Sequence, residues 1–463
     1  MTEVSLHASR RTEGGPLKAL VASGLAALCL AAAPSASAQD ATGYAAYTVY
    51  TYNGGPQGMA GRIRDDGSAV TVIRNLRTGL GGDPIVEGVV PADGKFRIAV
   101  TDRVSAPGAI PPTYIYNAAP ATNPLPSASP TWSNVRNMSG LVRLGKYLYA
   151  LDYDNARVVE IAKGTFAETG VTYSLPARLT PEGFAARGQA IVVVNDTLYV
   201  LFAFPDGSFS NYADSLLARF TVKGGKSITL KEGDYNAGLV KNAFAIAANG
   251  SDLYVAGIGG SQGGGSYSKA SRLQRIAGDA ADLSTAKVKN VLKPSKDRPY
   301  DIRDISFKGS TAYVLLGAYD ANFTMTGQLV STTNFENFKV INDFSAGAPG
   351  YFWAAQYVPD NDRIYFGRGS EILVYDASKT KTPAATLTLN PGSLISSGDP
   401  YDNINDFAYV GAKGGVTTLR GYRSPVQASA TPIGQASRAV SNGKPELSPA
   451  ERAQVERLLS GGK

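Results

Sequence analysis

The chain has 463 residues, 43% of them hydrophobic, a net charge of +7, and a single Cys and a single His, Cys29 and His7, both near the start. If the opening segment is removed on export, neither residue remains, which excludes a Ser-His-Asp triad, a Cys nucleophile, His- or thiolate-bound metal, His-ligated haem and any disulfide. Carboxylates, Tyr, Lys and Arg are then left to carry chemistry, and oxygen-ligated Ca²⁺ or Mg²⁺ is the metal chemistry still open.

The first forty residues read as a targeting segment. Arg10, Arg11 and Lys18 are followed by an apolar run from Leu17 to about Ala33, and Ala36-Ser37-Ala38 supplies the small-x-small pattern of a signal-peptidase site. The expected domain division is a signal peptide over 1–38, a repeat domain over 40–423 and a flexible tail over 424–463. The run is Ala-rich and shorter than the roughly 20 residues a membrane span needs, so no transmembrane segment is expected after cleavage. Cleavage takes Arg10, Arg11 and Lys18 away with Glu3 and Glu13, so that 45 basic and 38 acidic side chains become 42 and 36. With no Lys/Arg block, this small excess reads as a solvated surface and not as a nucleic-acid stripe.

Beyond residue 40, short runs of β-branched and aromatic residues alternate with Gly, Asn, Asp and Pro, and helical periodicity is nearly absent. A tight polar turn followed by an apolar-Tyr pair recurs at Tyr149, Tyr199, Tyr254, Tyr313 and Tyr365, with weaker copies near Phe96 and Thr417. The steps between these positions are 53, 50, 55, 59, 52 and 52 residues. A period near fifty accommodates four short strands, which is one propeller blade. The expected fold is therefore all-β, a seven-bladed β-propeller closed by N- and C-terminal strands, with a short C-terminal helix. Three strands at the start (46–52, 59–64 and 69–74) and two at the end (406–411 and 416–422) would share the closing blade and remove the open sheet edges.

The hairpins Leu148-Tyr-Ala-Leu-Asp-Tyr-Asp-Asn-Ala-Arg-Val-Val-Glu-Ile161 and Ile364-Tyr-Phe-Gly-Arg-Gly-Ser-Glu-Ile-Leu-Val-Tyr-Asp376 resemble those of secreted bacterial YVTN/NHL-like propellers. The resemblance covers the blade hairpins, lacks the Thr-Asn that follows Tyr-Val in that motif, and implies a fold and an extracytoplasmic setting rather than a substrate. The Asp-box of sialidases and a Trp-Asp repeat are both absent. In the tail, Ser448-Pro449-Ala450-Glu451 has the N-cap, N1 and N3 chemistry of a helix start, and the expected helix runs to about Leu459.

In a propeller the A–B turns leave one face, whereas the B–C loops and the D–A links leave the other. Here the A–B turns are short, and the long segments 102–112, 204–214, 257–269 and 317–325 fall on the B–C side, which makes that side the expected binding face. Those loops bring Tyr212, Tyr267 and Tyr319, whose rings could stack on a sugar or another flat ligand, or could pack on their own loops. Two D–A links repeat a Pro-Tyr-Asp pattern, giving Tyr300, Asp301, Arg303 and Asp304 in one and Tyr401, Asp402 and Asp406 in the other. Asp304, Arg303, Asp402 and Asp406 are expected near the channel mouth, where carboxylates could hold Ca²⁺ or exchange protons, or where Asp could simply close a turn. Trp132 and Trp353 are expected to pack between blades.

The functional expectation is an exported, periplasmic or cell-surface, non-catalytic protein that recognises a ligand, glycan or protein partner through its long-loop face. No catalytic residue and no cofactor are assigned. Two alternatives stand beside it: a lyase or hydrolase of an extracytoplasmic polymer using Asp304, Asp402 or Asp406, and a surface adhesin or assembly scaffold.

Overall fold

The computed structural model describes residues 43–445 apart from 52–56, 66–69, 81–83, 90–96, 103–109, 111, 118–127, 223–227, 261–266, 320–323, 348–352, 360, 369–370, 389–402, 411–415, 421–439 and 442–443. The expected signal peptide and the expected C-terminal helix fall outside the described residues, as do Tyr401 and Asp402.

Alternation of Tyr, Ala, Val and Ile builds the first hairpins, β1 (Gly43–Thr51), β2 (Gln57–Asp65) and β3 (Val70–Leu80). Next come β4 (Pro84–Val89), β5 (Arg97–Asp102) and β6 (Thr113–Asn117), then β7 (Met138–Leu144), β8 (Tyr147–Asp152), β9 (Arg157–Ala162) and β10 (Glu168–Ser174). A 3₁₀ turn, Ala177–Leu179, leads to β11 (Arg187–Val194), β12 (Thr197–Pro205), β13 (Tyr212–Thr221), β14 (Ile228–Thr229) and β15 (Tyr235–Leu239). The following set is β16 (Ala243–Asn249), β17 (Asp252–Gly257), β18 (Arg272–Ala277) and β19 (Lys289–Leu292). It is followed by β20 (Asp301–Lys308), β21 (Thr311–Tyr319), β22 (Met325–Thr332) and β23 (Lys339–Asp343). The last sets are β24 (Trp353–Val358), β25 (Arg363–Arg368), β26 (Glu371–Asp376) and β27 (Ala385–Thr388), then β28 (Asn403–Val410) and β29 (Val416–Arg420). The tail adds a two-stranded pair, β30 (Val440–Ser441) with β31 (Lys444–Pro445).

The sheets repeat a four-stranded antiparallel meander, the unit of a β-propeller. Closure by both ends is as expected, because β1 pairs antiparallel with β28 in the five-stranded order β29-β28-β1-β2-β3. The blade count departs from the expectation of seven: six sheets have four or five strands, and β4-β5-β6 has three. In place of a fourth strand, residues 128–131 make only the isolated bridges Ile115–Ala128 and Pro112–Thr131. The physical reason is local, since the sequence from 111 to 130 holds six prolines, each of which removes an N–H that a ladder would use.

Turn chemistry explains the hairpins. Asn195 and Asp196 link β11 to β12 with φ of 47° and 57°, the left-handed pair a two-residue type I′ turn demands. The core lies between adjacent sheets, as in a sandwich. Tyr149, Leu151, Val158 and Tyr173 of one blade meet Ile191, Val200, Phe202 and Phe220 of the next. Trp132 packs between Ala99 and Ile115 on one side and Leu141, Leu148 and Val159 on the other, with its indole N–H donating to the Phe166 carbonyl at 2.8 Å. Each fully buried large side chain in such a seam stabilises the fold by about 1.5–3 kcal/mol.

Candidate functional site at the head of strand β20

The first strand of each blade has one edge free of strand partners, and its exposed N–H groups need acceptors. At three of the described junctions side chains from the preceding blade supply them. Ser215 Oγ accepts from Ala243 N at 3.1 Å, and Ser271 Oγ accepts from Ile302 N at 3.0 Å. At the β20–β24 junction the acceptors alternate along β20: Asp304 Oδ2 takes Ala355 N at 3.0 Å and Ser306 Oγ takes Tyr357 N at 2.9 Å. Asp304 Oδ1 also receives Ile305 N at 2.9 Å and Gln356 Nε2 at 3.1 Å. This carboxyl group has three donors and no cation among them. Burial, opposed by those three donors, raises its pKa to about 7.

Three residues earlier on the same strand, Asp301 reaches in another direction. Its Oδ1 accepts Ser268 N at 2.7 Å, which ties the β17–β18 connection to the head of β20. Its Oδ2 lies 3.3 Å from Arg303 Nη2, and Arg303 Nε donates to the Gly317 carbonyl at 3.0 Å. The Arg303 guanidinium sits 5.4 Å from the centre of the Tyr319 ring, a cation–π distance. Burial pushes the Asp301 pKa up to about 6, with the Arg303 charge and the Ser268 N–H pulling the other way.

Of the residues singled out in the sequence, Asp301, Arg303 and Tyr319 therefore meet at the end of the blade where the β17–β18 and β21–β22 connections leave. Tyr267 adjoins them in sequence through Ser268 and is half-buried. Tyr300 is also half-buried, packed against the seam formed by Tyr254, Ile302 and Val314, and burial raises its pKa. Tyr319 is buried in the next seam with Met325 and Phe366. Tyr212 belongs to a different blade, opposite Pro205, and is buried. Asp304 turns to β24 instead of joining Asp301. Asp406 holds a position on β28 opposite Thr48 and Arg420; its side chain, and that of Trp353, lie outside the described set.

Sequence reasoning missed Ser268 and Gln356, whose roles depend on partners 33 and 52 residues away. It also passed over Glu160, which is wholly buried and accepts from Tyr149 Oη at 3.1 Å, Tyr173 Oη at 3.4 Å and Thr169 Oγ1 at 2.9 Å. The signal was present, since a Glu inside the apolar run Arg157-Val-Val-Glu-Ile161 has to find donors. Burial and the neighbouring tyrosine and carboxylate raise the Tyr149 pKa far beyond its usual value, and burial together with Glu160 pushes Tyr173 up to about 12. Both phenols therefore stay protonated as donors. Among the described residues no three His, Cys, Asp or Glu side chains gather as a metal site.

No family model and no curated protein matches the chain. Solved propellers do align with it at low identity. The periplasmic gluconolactonase of Pseudomonas aeruginosa is 12% identical over 82% of this chain and all of its own, with a TM-score of 0.49. A Bacteroides uniformis protein described as a candidate 6-phosphogluconolactonase is 11% identical over 72% of this chain and 92% of its own, with a TM-score of 0.48. AztD of Citrobacter koseri is 10% identical over 82% of this chain and 96% of its own, with a TM-score of 0.40. These likenesses concern the fold alone.

Proposed function

We propose that this chain is an exported, non-catalytic binding propeller that recognises a ligand, glycan or protein partner on the face carrying its long loops. The observation that carries the reading is the state of Asp304. Of the three carboxylates considered for acid–base work, it is the one whose side chain is described, and it is buried with both oxygens committed to N–H donors across a blade junction. A group so placed holds blades together and has no room to meet a substrate. Nearby, Tyr267 and Tyr300 keep part of their surface open at the loop end of the blade. Export is supported by the basic, apolar and Ala-Ser-Ala succession over residues 10–38. The reading counts the three-stranded sheet β4-β5-β6 as an incomplete unit of the ring beside the six full blades. In its support, the inner strands touch in the order β4, β7, β11, β16, β20, β24, after which β24 meets β29 and β28 meets β4.

The test is a screen of the secreted protein against an oligosaccharide array, followed by titration of whatever binds. Tyr267→Ala should weaken binding by roughly 5- to 150-fold, the equivalent of about 1–3 kcal/mol for a lost stacking platform. Lys146→Ala, in an A–B turn, should leave it unchanged. Conversion of the bound compound, abolished by Asp406→Asn, would replace this reading with the hydrolase or lyase one.

A further inference from the structure

Beside the half-buried Tyr267 stands an enclosed ion pair. The Arg303 and Asp301 side chains are 1% and 6% exposed, and among the described residues no other ion pair has both partners so nearly shut away from water. Taking two charges out of water is costly, and apolar side chains of similar volume hold such a place as well or better. The seam between these two blades is already apolar, with Tyr254, Ala256, Ile302, Ile305 and Val314 packed together. Stability of the seam therefore does not account for the pair.

Direction does account for it. A guanidinium is a rigid planar fork. Arg303 is fixed through Nε on the Gly317 carbonyl at 3.0 Å and through its face on the Tyr319 ring, and its Nη2 then meets Asp301 Oδ2 at 3.3 Å. The other carboxylate oxygen is thereby held out to the adjoining blade, where Ser268 N donates to Oδ1 at 2.7 Å. Ser268 follows Tyr267 on the return limb of the β17–β18 connection, residues 267–271. The far end of that limb is fixed separately. Ser271 Oγ donates to the Gly257 carbonyl at 3.0 Å and accepts Ile302 N at 3.0 Å. Gly259, with φ of +83°, lies so close to Ala270 that a Cβ there would overlap its backbone. At the Tyr267 end, the described hydrogen bond that reaches another blade is the one to Asp301.

We infer that the Asp301–Arg303 pair is a positioning device for Tyr267: Arg303 orients the carboxylate, and the carboxylate fixes the backbone next to the ring. That Tyr267 meets a ligand rests on the function proposed above, whereas the hold of Asp301 on its backbone does not, so the two are tested by different measurements.

The experiment is amide hydrogen exchange of the full chain, read by mass spectrometry over 267–271, with β12 as the distant control and urea unfolding alongside. Asp301→Leu combined with Arg303→Met removes the pair, leaves no charge behind and should keep the urea midpoint close to that of the parent. Exchange over 267–271 should nevertheless rise roughly 10- to 100-fold, the loss expected for one charge-assisted hydrogen bond. Asp301→Asn combined with Arg303→Met puts back an oxygen for Ser268 N and should bring exchange to within about threefold of the parent. Should the Leu-containing variant fail to fold, Ser268→Pro deletes the same N–H with the pair intact, and Lys269 to Ser271 should show the same rise. Unchanged exchange over 267–271, an equal rise over β12, or identical behaviour of the two double variants would each overturn the inference. On the oligosaccharide array, signals that Tyr267→Ala removes should also fall in the Asp301→Leu, Arg303→Met variant, and signals kept there would overturn it too. An array on which Tyr267→Ala removes nothing counts against the binding reading alone, because the exchange is measured without ligand.

Discussion

Asp304→Asn should make two stability curves cross. The Asp304 carboxyl titrates at about 7 in the fold, against 3.8 for the ordinary group, because burial penalises its charged form. Between those two values the native state holds a proton that the unfolded chain has released, so native stability falls as pH rises through the window. The full difference corresponds to about 4 kcal/mol lost by about pH 8. Asn carries no charge and is free of this penalty. Its amide oxygen can still accept from Ala355 N, and the Gln356 amide can turn its oxygen toward the new NH₂ group, but Ile305 N loses its acceptor. That loss costs about 1–3 kcal/mol at every pH. The variant should therefore be the less stable protein near pH 5 and equal to or more stable than the parent near pH 9. Urea unfolding from about pH 5 to about pH 9, with the difference in free energy taken at each pH, isolates the residue. Surface carboxylates such as Asp282, Asp343 and Asp376, held below the ordinary range by hydroxyls of Ser284, Ser345 and Ser378, cancel in that difference. A parent–variant difference that stays constant across the range would refute the assignment of Asp304 as a buried, cation-free inter-blade acceptor.

Two other outcomes follow from the packing. Tyr149→Phe removes a 3.1 Å donor to the wholly buried Glu160 and should cost about 1–3 kcal/mol at pH 7, read as a lower urea midpoint; an unchanged midpoint would mean that Glu160 is satisfied without it. Gly327→Ala places a methyl group against the Leu316 carbonyl and 2.7 Å from Gly317 Cα across the β21–β22 ladder, and should cost at least about 1–3 kcal/mol; a parent-like melting temperature would show that the two strands can separate cheaply.

The sequence carries the fold because the fold is repetitive. Asn195-Asp196 or Gly145-Lys146 ahead of an apolar-Tyr pair is local chemistry, legible from neighbouring residues, and its recurrence every fifty or so positions announces blades. Closure was legible too, because strands left over at the two ends have only each other to pair with, and β1 with β28 is that pair. The six prolines from 111 to 130 argue in the sequence itself against a fourth ladder in that sheet.

The site was legible only as residue types. Pro299-Tyr300-Asp301-Ile302-Arg303-Asp304 marks a polar entry into an inner strand, but the pattern does not say that Asp301 turns to Ser268 and Arg303 while Asp304 turns to Ala355. Ser268 and Ala355 lie in other blades, and neighbouring strand residues point to opposite sides of the sheet, so a bulge between Ile302 and Asp304 is enough to redirect the two carboxylates. What the sequence determined by itself is the strand period, the turns, the absence of His and Cys beyond residue 29, and the residue types available for chemistry. Which carboxylates are buried and already satisfied, and which tyrosines lie in seams, were decided by the tertiary structure, because burial depends on contacts between blades that no local pattern encodes.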